Sequence, residues 1–163
     1  MAIAKTLTRY LKERGVDYQL VEHAHTATAE ASAHAAHLPT HQVAKAVVLK
    51  DAEGYVLSVV PANHSVELGW VNDALERELE LACEDEFKKL FADCETGAVP
   101  ALGEAYGVPV IWDDELAYTA DVYIEAGDHE HLVWLERRDF RKLMSGLPHT
   151  IISKDEEVGC WKY

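Results

Sequence analysis

Lys45 is the residue of this sequence that points most directly to chemistry. It stands in the run Val43 to Leu49, in which all the remaining residues are apolar. In an extended strand Lys45 shares one face with Val43 and Val47, and apolar residues also fill the opposite face. A lysine in this setting either reaches solvent along a strand edge or points into a cavity where it meets an anion, with a lowered pKa. The pattern leaves both interpretations open.

A glycine-rich segment, Cys94 to Gly107, is the second candidate for a site. It contains Gly97, Pro100 and Gly103 before its final glycine. Glycine and proline interrupt helices and strands, so this segment is expected to be a loop. Backbone N–H groups in such a loop can face an anion or a developing oxyanion. The spacing fits neither the GxxxxGK[ST] phosphate loop nor GxGxxG, and a long surface turn has the same composition.

Nine histidines raise the question of a metal site. His34, His37 and His41 share one helix face only if that helix continues past Pro39, and no HExxH motif occurs. We therefore expect mostly solvated histidines, with no metal and no cofactor. His23 is different, because it ends a predicted strand and enters a loop just before a helix, where site residues are frequent.

The cysteines indicate neither covalent catalysis nor a disulfide scaffold. Cys83, Cys94 and Cys160 are odd in number and form no CxxC pair, and no GxSxG elbow occurs. The first twenty residues carry several charges, and no run approaches the roughly 18 apolar residues of a membrane span. We expect a cytoplasmic protein with no membrane role.

The charge balance excludes a protein whose whole surface binds nucleic acid. Lys and Arg number 15 against 29 for Asp and Glu, which gives a net charge of −14. Two local clusters of cations depart from this average. One lies on a face of the predicted first helix and the other around the predicted last helix; they comprise Lys5, Arg9 and Lys12, and Arg137, Arg138, Arg141 and Lys142. A solvated face is the simpler interpretation of each, and a contact site for a polyanion is the alternative.

The periodicity predicts a mixed set of elements that would position these residues. Helices are expected within 3–14, 27–38, 66–79, 87–91 and 138–144, and strands within 16–20, 43–49, 55–60, 79–82, 108–112, 121–124 and 131–135. This order is not a regular βαβα alternation, so we expect an α+β fold with a mixed sheet or partly closed barrel and packed helices. We expect a single domain over 1–163, with its core at about 3–144. The tail, 145–163, should pack on the body or on a partner, because it contains Ile151, Ile152, Trp161 and Tyr163.

These features, in this order, resemble the YbaK family, which includes the editing domain inserted in bacterial prolyl-tRNA synthetases and its free-standing relatives. The resemblance spans roughly residues 3–144. It rests on Glu22-His23 before TAEA at 28–31, QVAKAVVL at 42–49, VVPAN at 59–63, TGAVPALG at 96–103, and Ala126-Gly127 before a strand.

The resemblance implies a deacylase that acts in trans on the ester of a mischarged aminoacyl-tRNA. It places Lys45 at the family's essential lysine, which helps to hold the 3′-terminal nucleotide and the aminoacyl ester. It implies that backbone groups of the glycine loop fix the ester carbonyl and that His23 and Gly127 line the pocket. The loop residues concerned are Thr96, Gly97, Ala98, Val99 and Pro100. The acceptor end of the tRNA would contact one of the two basic clusters, and an aminoacyl-tRNA synthetase is a further expected partner.

Such chemistry asks for few groups, because an aminoacyl ester is already activated. It needs a positioned water, donors for the oxyanion and a pocket of suitable size. The sequence departs from the family pattern at Ala24, Thr96 and Ala101. These departures bear on specificity, for which a small amino acid on tRNA-Pro or a similar tRNA is expected. The alternative function is a non-catalytic module that binds a nucleotide or small metabolite, which the acidic surface motivates.

Overall fold

The computed structural model describes residues 3–156, which form five α-helices and ten β-strands. The helices are α1 (Lys5–Glu13), α2 (Ala29–Ala35), α3 (Leu68–Leu75), α4 (Glu84–Phe87) and α5 (Arg137–Met144). The strands are β1 (Gln19–Glu22), β2 (Val43–Asp51), β3 (Gly54–Pro61), β4 (His64–Val66), β5 (Glu80–Leu81), β6 (Val110–Asp113), β7 (Asp121–Glu125), β8 (His131–Glu136), β9 (His149–Thr150) and β10 (Ser153–Asp155).

Eight strands form one mixed sheet, in the order β1-β8-β7-β2-β3-β6-β9, with β5 also paired to β2. The pairs β2–β7, β3–β6 and β6–β9 are parallel, and the other pairs of this sheet are antiparallel. β4 and β10 form a separate antiparallel ribbon. The strand order of residues 3–156 begins at β1 and ends at β9 without closing into a barrel. The prediction of an α+β fold with a mixed sheet is confirmed.

The central hairpin, β2 and β3, forms where the sequence predicts it. Asp51 begins its turn, and the carboxylate accepts hydrogen bonds from the backbone N–H groups of Glu53 and Gly54 at 2.8 and 3.1 Å. Alternate residues of β2 enter different apolar clusters, because the side chains of a strand point to opposite faces. Ala44 and Val48 belong to the main core, which also contains the inner face of α1.

The helices begin and end largely for the reasons visible in the sequence. Thr28 caps α2, and its Oγ1 accepts a hydrogen bond from the Ala31 N–H at 3.1 Å. α1 is followed by Gly15 at φ +66°, a left-handed conformation that suits glycine. The helix predicted over 66–79 is shorter in the structure, because the strand β4 takes up Val66 and a positive φ at Glu76 ends the helix.

The segment from Ser145 to Glu156 packs on the body of the protein. β9 pairs with β6 and β10 pairs with β4, and the Ile152 side chain is fully buried. Trp161 and Tyr163, which contributed to this expectation, lie outside the described residues, as does Cys160. No helix in the described part of the chain has the length and apolar character needed to cross a membrane.

A buried carboxylate fastens this C-terminal segment. Asp113 has no exposed surface, and its Oδ2 accepts hydrogen bonds from the Ile152 N–H at 2.9 Å and the Ser153 hydroxyl at 2.6 Å. Its Oδ1 accepts another from the Glu115 N–H at 2.8 Å. Ser153 Oγ in turn contacts His64 Nδ1 at 2.8 Å, which connects β10 to β4.

We predict that Asp113→Asn lowers the free energy of unfolding by about 1–3 kcal/mol, because the amide presents a donor to buried groups that need an acceptor. The matched control is Asp114→Asn, whose ion pair with His149 is partly exposed and should contribute less than about 1 kcal/mol. Urea unfolding monitored by tryptophan fluorescence measures both values. Equal losses in the two variants would contradict the assigned role of Asp113.

Candidate active site

A cavity of about 270 Å³ lies between β2, the start of α2, the glycine loop and the turn that joins β7 to β8. Three of the predicted site residues line it, namely Lys45, Gly97 and Val99. The other lining residues are Ala27, Thr28, Ala29, Ser32, Val43, Ala44, Ala46, Glu125, His129 and Leu132. The structure therefore brings the predicted lysine and the predicted glycine loop to one place.

The cavity forms at an interrupted edge of β2. On this edge β7 pairs with Val43 and Ala44, and β5 pairs with Leu49 and Lys50. Among the described strands none pairs with the stretch between them, which contains Lys45. The glycine loop and α2 approach there instead, so the strand edge forms a wall of the cavity.

The side chain of Lys45 lies between two apolar clusters on the same face of β2. Val43 belongs to one cluster, and Val47 and Leu49 belong to the other. No described residue forms a hydrogen bond or ion pair with the Lys45 amine. Burial lowers the pKa of Lys45, and the more distant carboxylates of Glu156 and Glu30 oppose this effect. The site therefore contains a partly buried lysine amine that has no direct partner in the part of the chain that the structure describes.

The glycine loop contains a tight turn over residues 95–98. The Ala98 N–H donates to the Glu95 carbonyl at 2.9 Å, and the third residue, Gly97, has φ +84°. This is the backbone pattern of a type II turn, which requires a positive φ at that position. The Gly97 N–H donates to no residue within 3–156, whereas the Ala98 N–H is already used inside the turn. Gly97 is therefore a cavity-lining loop residue whose donor is available to a ligand, and the Val99 N–H likewise donates to no residue within 3–156.

The remaining predicted site residues lie around the cavity and do not line it. Ala98 and Pro100 are buried, and Thr96 is exposed at the tip of the loop. Gly127 has φ +109°, and a Cβ at this position would come within 2.9 Å of the Ala4 Cβ. Its carbonyl accepts the Glu95 N–H at 2.8 Å. This hydrogen bond joins the β7–β8 turn to the glycine loop.

His23 is buried at the end of β1, with 7% of its surface exposed. Its Nδ1 donates to the Ala24 carbonyl at 2.7 Å. Its Nε2 is buried and has no hydrogen-bond partner among the described residues. The structure places this ring beside the β7–β8 turn, since the His23 N–H donates to the Glu130 carbonyl at 2.8 Å.

Two functional groups of the cavity, Glu125 and His129, were not singled out from the sequence. Burial raises the pKa of Glu125, while the hydrogen bond from the Gly127 N–H opposes this shift. His129 has φ +62°, and its Nε2 donates to the Thr96 carbonyl at 2.9 Å. The available signal was their position on either side of Ala126-Gly127, at the end of a predicted strand.

The two basic clusters differ in how their side chains are used. In the α5 cluster Arg137 donates to the Thr119 and Tyr118 carbonyls, Arg141 to the Ala117 carbonyl and Lys142 to the Arg14 carbonyl. Arg138 lies 3.7 Å from the Glu136 carboxylate. The side chains of Lys5, Arg9 and Lys12 form no such bonds with the described residues and line a surface groove of about 620 Å³ with Val16, Asp17 and Tyr18.

The cavity offers electrostatic and backbone groups for binding and contains no activated nucleophile of the cysteine type. Cys94, behind the glycine loop, has its pKa raised to about 12 by burial, so its thiol is protonated at neutral pH. Its sulfur contacts the Tyr106 hydroxyl at 3.4 Å. Across residues 3–156, no group of three or more His, Cys, Asp or Glu side chains is arranged to hold a metal ion.

The fold is shared with several solved structures. A proposed trans-editing enzyme for prolyl-tRNA synthetase is 22% identical with a TM-score of 0.79, over 94% of this chain and 99% of that one. A hypothetical protein is 19% identical with a TM-score of 0.79, over 92% and 100%. A longer protein from Marinobacter aquaeolei VT8 has been provisionally described as a signal transduction protein. It is 18% identical with a TM-score of 0.77. This chain is 96% covered by that match and spans 32% of the longer protein.

The family is shown by sequence. No curated protein matches the chain significantly. Residues 23–143 match the profile of the aminoacyl-tRNA editing domain, and this range includes the whole cavity and both walls that carry its charged groups. The chain belongs to the aminoacyl-tRNA editing domain family.

Proposed function

We propose that this protein is a trans-acting aminoacyl-tRNA deacylase that hydrolyses the ester of a small amino acid wrongly attached to tRNA-Pro or a similar tRNA. The observation that carries this proposal is the cavity that holds both the Lys45 amine and the Gly97 N–H, neither of which has a hydrogen-bond partner within residues 3–156. Membership of the editing family supports the reaction class. The expected compartment is the cytoplasm, and an aminoacyl-tRNA synthetase is the expected source of the substrate.

The two groups suit different parts of an aminoacyl-adenosine end. A desolvated ammonium attracts the phosphate or ribose oxygens of the terminal nucleotide more strongly than a solvated one, because water does not screen it. The Gly97 N–H is available to an ester carbonyl that becomes an oxyanion when water attacks. A preorganised donor of this kind lowers the barrier without reorganisation during the reaction. No metal or protein nucleophile is needed for this step.

The dimensions of the cavity favour a small amino acid. About 270 Å³ must hold the aminoacyl group and part of the ribose. Val99 and Leu132 are buried and form walls of the cavity. Neither side chain can move aside to enlarge the cavity without opening the core. One additional methylene group changes the free energy that discriminates between two amino acids by only about 1–3 kcal/mol. A second, hydrolytic site of this size therefore complements a synthetase that accepts several small amino acids.

The free cations of α1 are our proposed contact for the acceptor stem. Lys5 and Lys12 are about 10 Å apart along the helix, which spans a few phosphates of one strand. The helix is fixed to the cavity, because the Ala4 N–H donates to the Ala126 carbonyl at 2.8 Å and the Thr6 N–H donates to the Asp93 carboxylate at 2.8 Å. The α5 cations are a weaker candidate, since most already bind backbone carbonyls.

We predict that Lys45→Met lowers kcat/KM for deacylation by about 10- to 100-fold, the effect of losing a charge-assisted hydrogen bond. The same variant should keep or raise the free energy of unfolding by up to about 1 kcal/mol, because it removes a desolvated charge. Hydrolysis of tRNA-Pro carrying alanine, cysteine, serine or threonine, together with thermal unfolding, measures both effects.

The matched control for Lys45 is Lys50→Met on the same strand. The Lys50 amine is paired with Glu86 and lies 3.8 Å from Glu80, away from the cavity, so its loss should leave the rate unchanged. Tight binding of the acceptor end by the wild type with no turnover on any ester would overturn the deacylase proposal in favour of a binding module.

We predict that Gly97→Ala lowers kcat/KM by about 10- to 100-fold, because it displaces the turn that presents the N–H donor. At φ +84° an alanine is strained, and its Cβ would approach Glu84 Oε1 to 2.8 Å. Gly107→Ala is the matched control, since Gly107 has φ +71° with open space around it. Both variants should lose about 1 kcal/mol of stability, and only Gly97→Ala should lose activity. An equal loss of activity would mean that general loop strain is responsible.

We predict that Arg9→Gln with Lys12→Gln weakens tRNA binding and reduces the slope of log Kobs against log salt concentration by roughly 1–2. Lys88→Gln with Lys89→Gln makes the same change in net charge at exposed positions outside the groove. Filter binding across a salt series compares the two pairs. Unchanged slopes in the α1 variant would remove this helix as the contact for RNA.

A further inference from the structure

We propose that Glu125 binds the α-ammonium group of the aminoacyl ester, together with Nδ1 of His129. This inference rests on the proposed deacylase function. It adds that the site recognises the α-ammonium group of the substrate. It assigns a binding role to a carboxylate and a ring that the sequence did not single out.

The position of Glu125 follows from the pairing of β2 with β7. Val43 is opposite Tyr123 and Ala44 is opposite Ile124 in parallel register. The next residue on each strand is therefore Lys45 on one side and Glu125 on the other, and both line the cavity. No ion pair joins them in the described structure. The cavity accordingly has a cation on one wall and a carboxylate on the neighbouring wall.

The carboxylate of Glu125 is well buried but incompletely satisfied. Only 16% of its side chain is exposed. Its Oε2 accepts a hydrogen bond from the Gly127 N–H at 3.0 Å. Its Oε1 lies 3.7 Å from His129 Nδ1, which is beyond hydrogen-bond distance, and no lysine or arginine within residues 3–156 pairs with it. A buried carboxylate in this state gains from a bound cation.

The hydrogen bonding of His129 fixes which of its nitrogens is free. The Thr96 carbonyl can only accept, so the Nε2 that bonds to it at 2.9 Å must carry a hydrogen. In the neutral ring Nδ1 is then an acceptor. With the ring neutral, Glu125 Oε1 and His129 Nδ1 are two acceptors 3.7 Å apart with no donor between them among the described residues, and an ammonium group supplies N–H donors that both can accept.

The location also fits the covalent structure of an aminoacyl ester, in which a single carbon separates the amino nitrogen from the carbonyl carbon. His129 bonds to Thr96, the residue immediately before the Gly97 donor. The Glu95 N–H bonds to the Gly127 carbonyl at 2.8 Å and holds the two loops together. An ammonium held by Glu125 and His129 would therefore direct the adjacent carbonyl towards the Gly97 N–H.

The test compares two esters of tRNA-Pro, alanyl and lactyl, which differ by an α-amino group in place of an α-hydroxyl. We expect Glu125→Gln to lower kcat/KM for the alanyl ester by roughly 10- to 100-fold and for the lactyl ester by less than about 3-fold. A merely structural role of Glu125 would lower both rates equally. Glu130→Gln is the matched control, because Glu130 lies in the same turn but does not line the cavity, and it should preserve both rates.

The outcomes separate this inference from the proposed function. If the wild type hydrolyses neither ester nor any other member of the aminoacyl panel, the deacylase proposal fails. If it hydrolyses the alanyl ester but Glu125→Gln keeps the wild-type ratio of the two rates, the ammonium assignment fails and the deacylase proposal stands. Should Glu125→Gln not fold, the wild-type rate enhancement over spontaneous hydrolysis decides, and equal enhancement for the two esters overturns the assignment.

Discussion

The short parallel contact between β2 and β7 is the constraint on which the site depends. It consists of two residue pairs, after which no described strand pairs with this edge of β2 until β5 joins it. Continuous pairing would have filled this edge with backbone hydrogen bonds. The interruption leaves room for a cavity and makes the start of α2 and the glycine loop its other walls. It also sets Lys45 and Glu125 at the same level on adjacent strands.

The cavity retains polar groups that folding alone would not favour. Within residues 3–156 the partly buried Lys45 amine has no direct partner, and one oxygen of Glu125 has no donor within hydrogen-bond distance. Asp113 differs from them with its three accepted hydrogen bonds, although His23 Nε2, Asn63 Oδ1 and Trp112 Nε1 are also buried without a hydrogen-bond partner among the described residues. Locally unsatisfied groups within a consistent fold are a feature of sites arranged for a ligand.

The sequence predicts those parts of this protein that depend on local patterns. The alternation around Lys45, the Asp51 turn and the glycine loop each follow from a few neighbouring residues. Glu125 and His129 could not be found in this way, because their role depends on a pairing between strands about eighty residues apart in the sequence. The basic clusters look alike in sequence, and only the fold shows that three of the four α5 cations bind backbone carbonyls. The β4–β10 ribbon was missed because its strands have three residues each.

The attachment of α1 to the loops of the cavity fixes the distance between this helix and the cavity. The hydrogen bonds from the Ala4 and Thr6 N–H groups tie the first turn of this helix to the loops behind the cavity. The basic side chains of α1 and the Gly97 donor therefore belong to one rigid frame. A ligand that contacts both must match the distance between them, so the fold selects ligands by their length as well as by their chemistry. Molecules of the right chemistry but the wrong reach would occupy only one end of it.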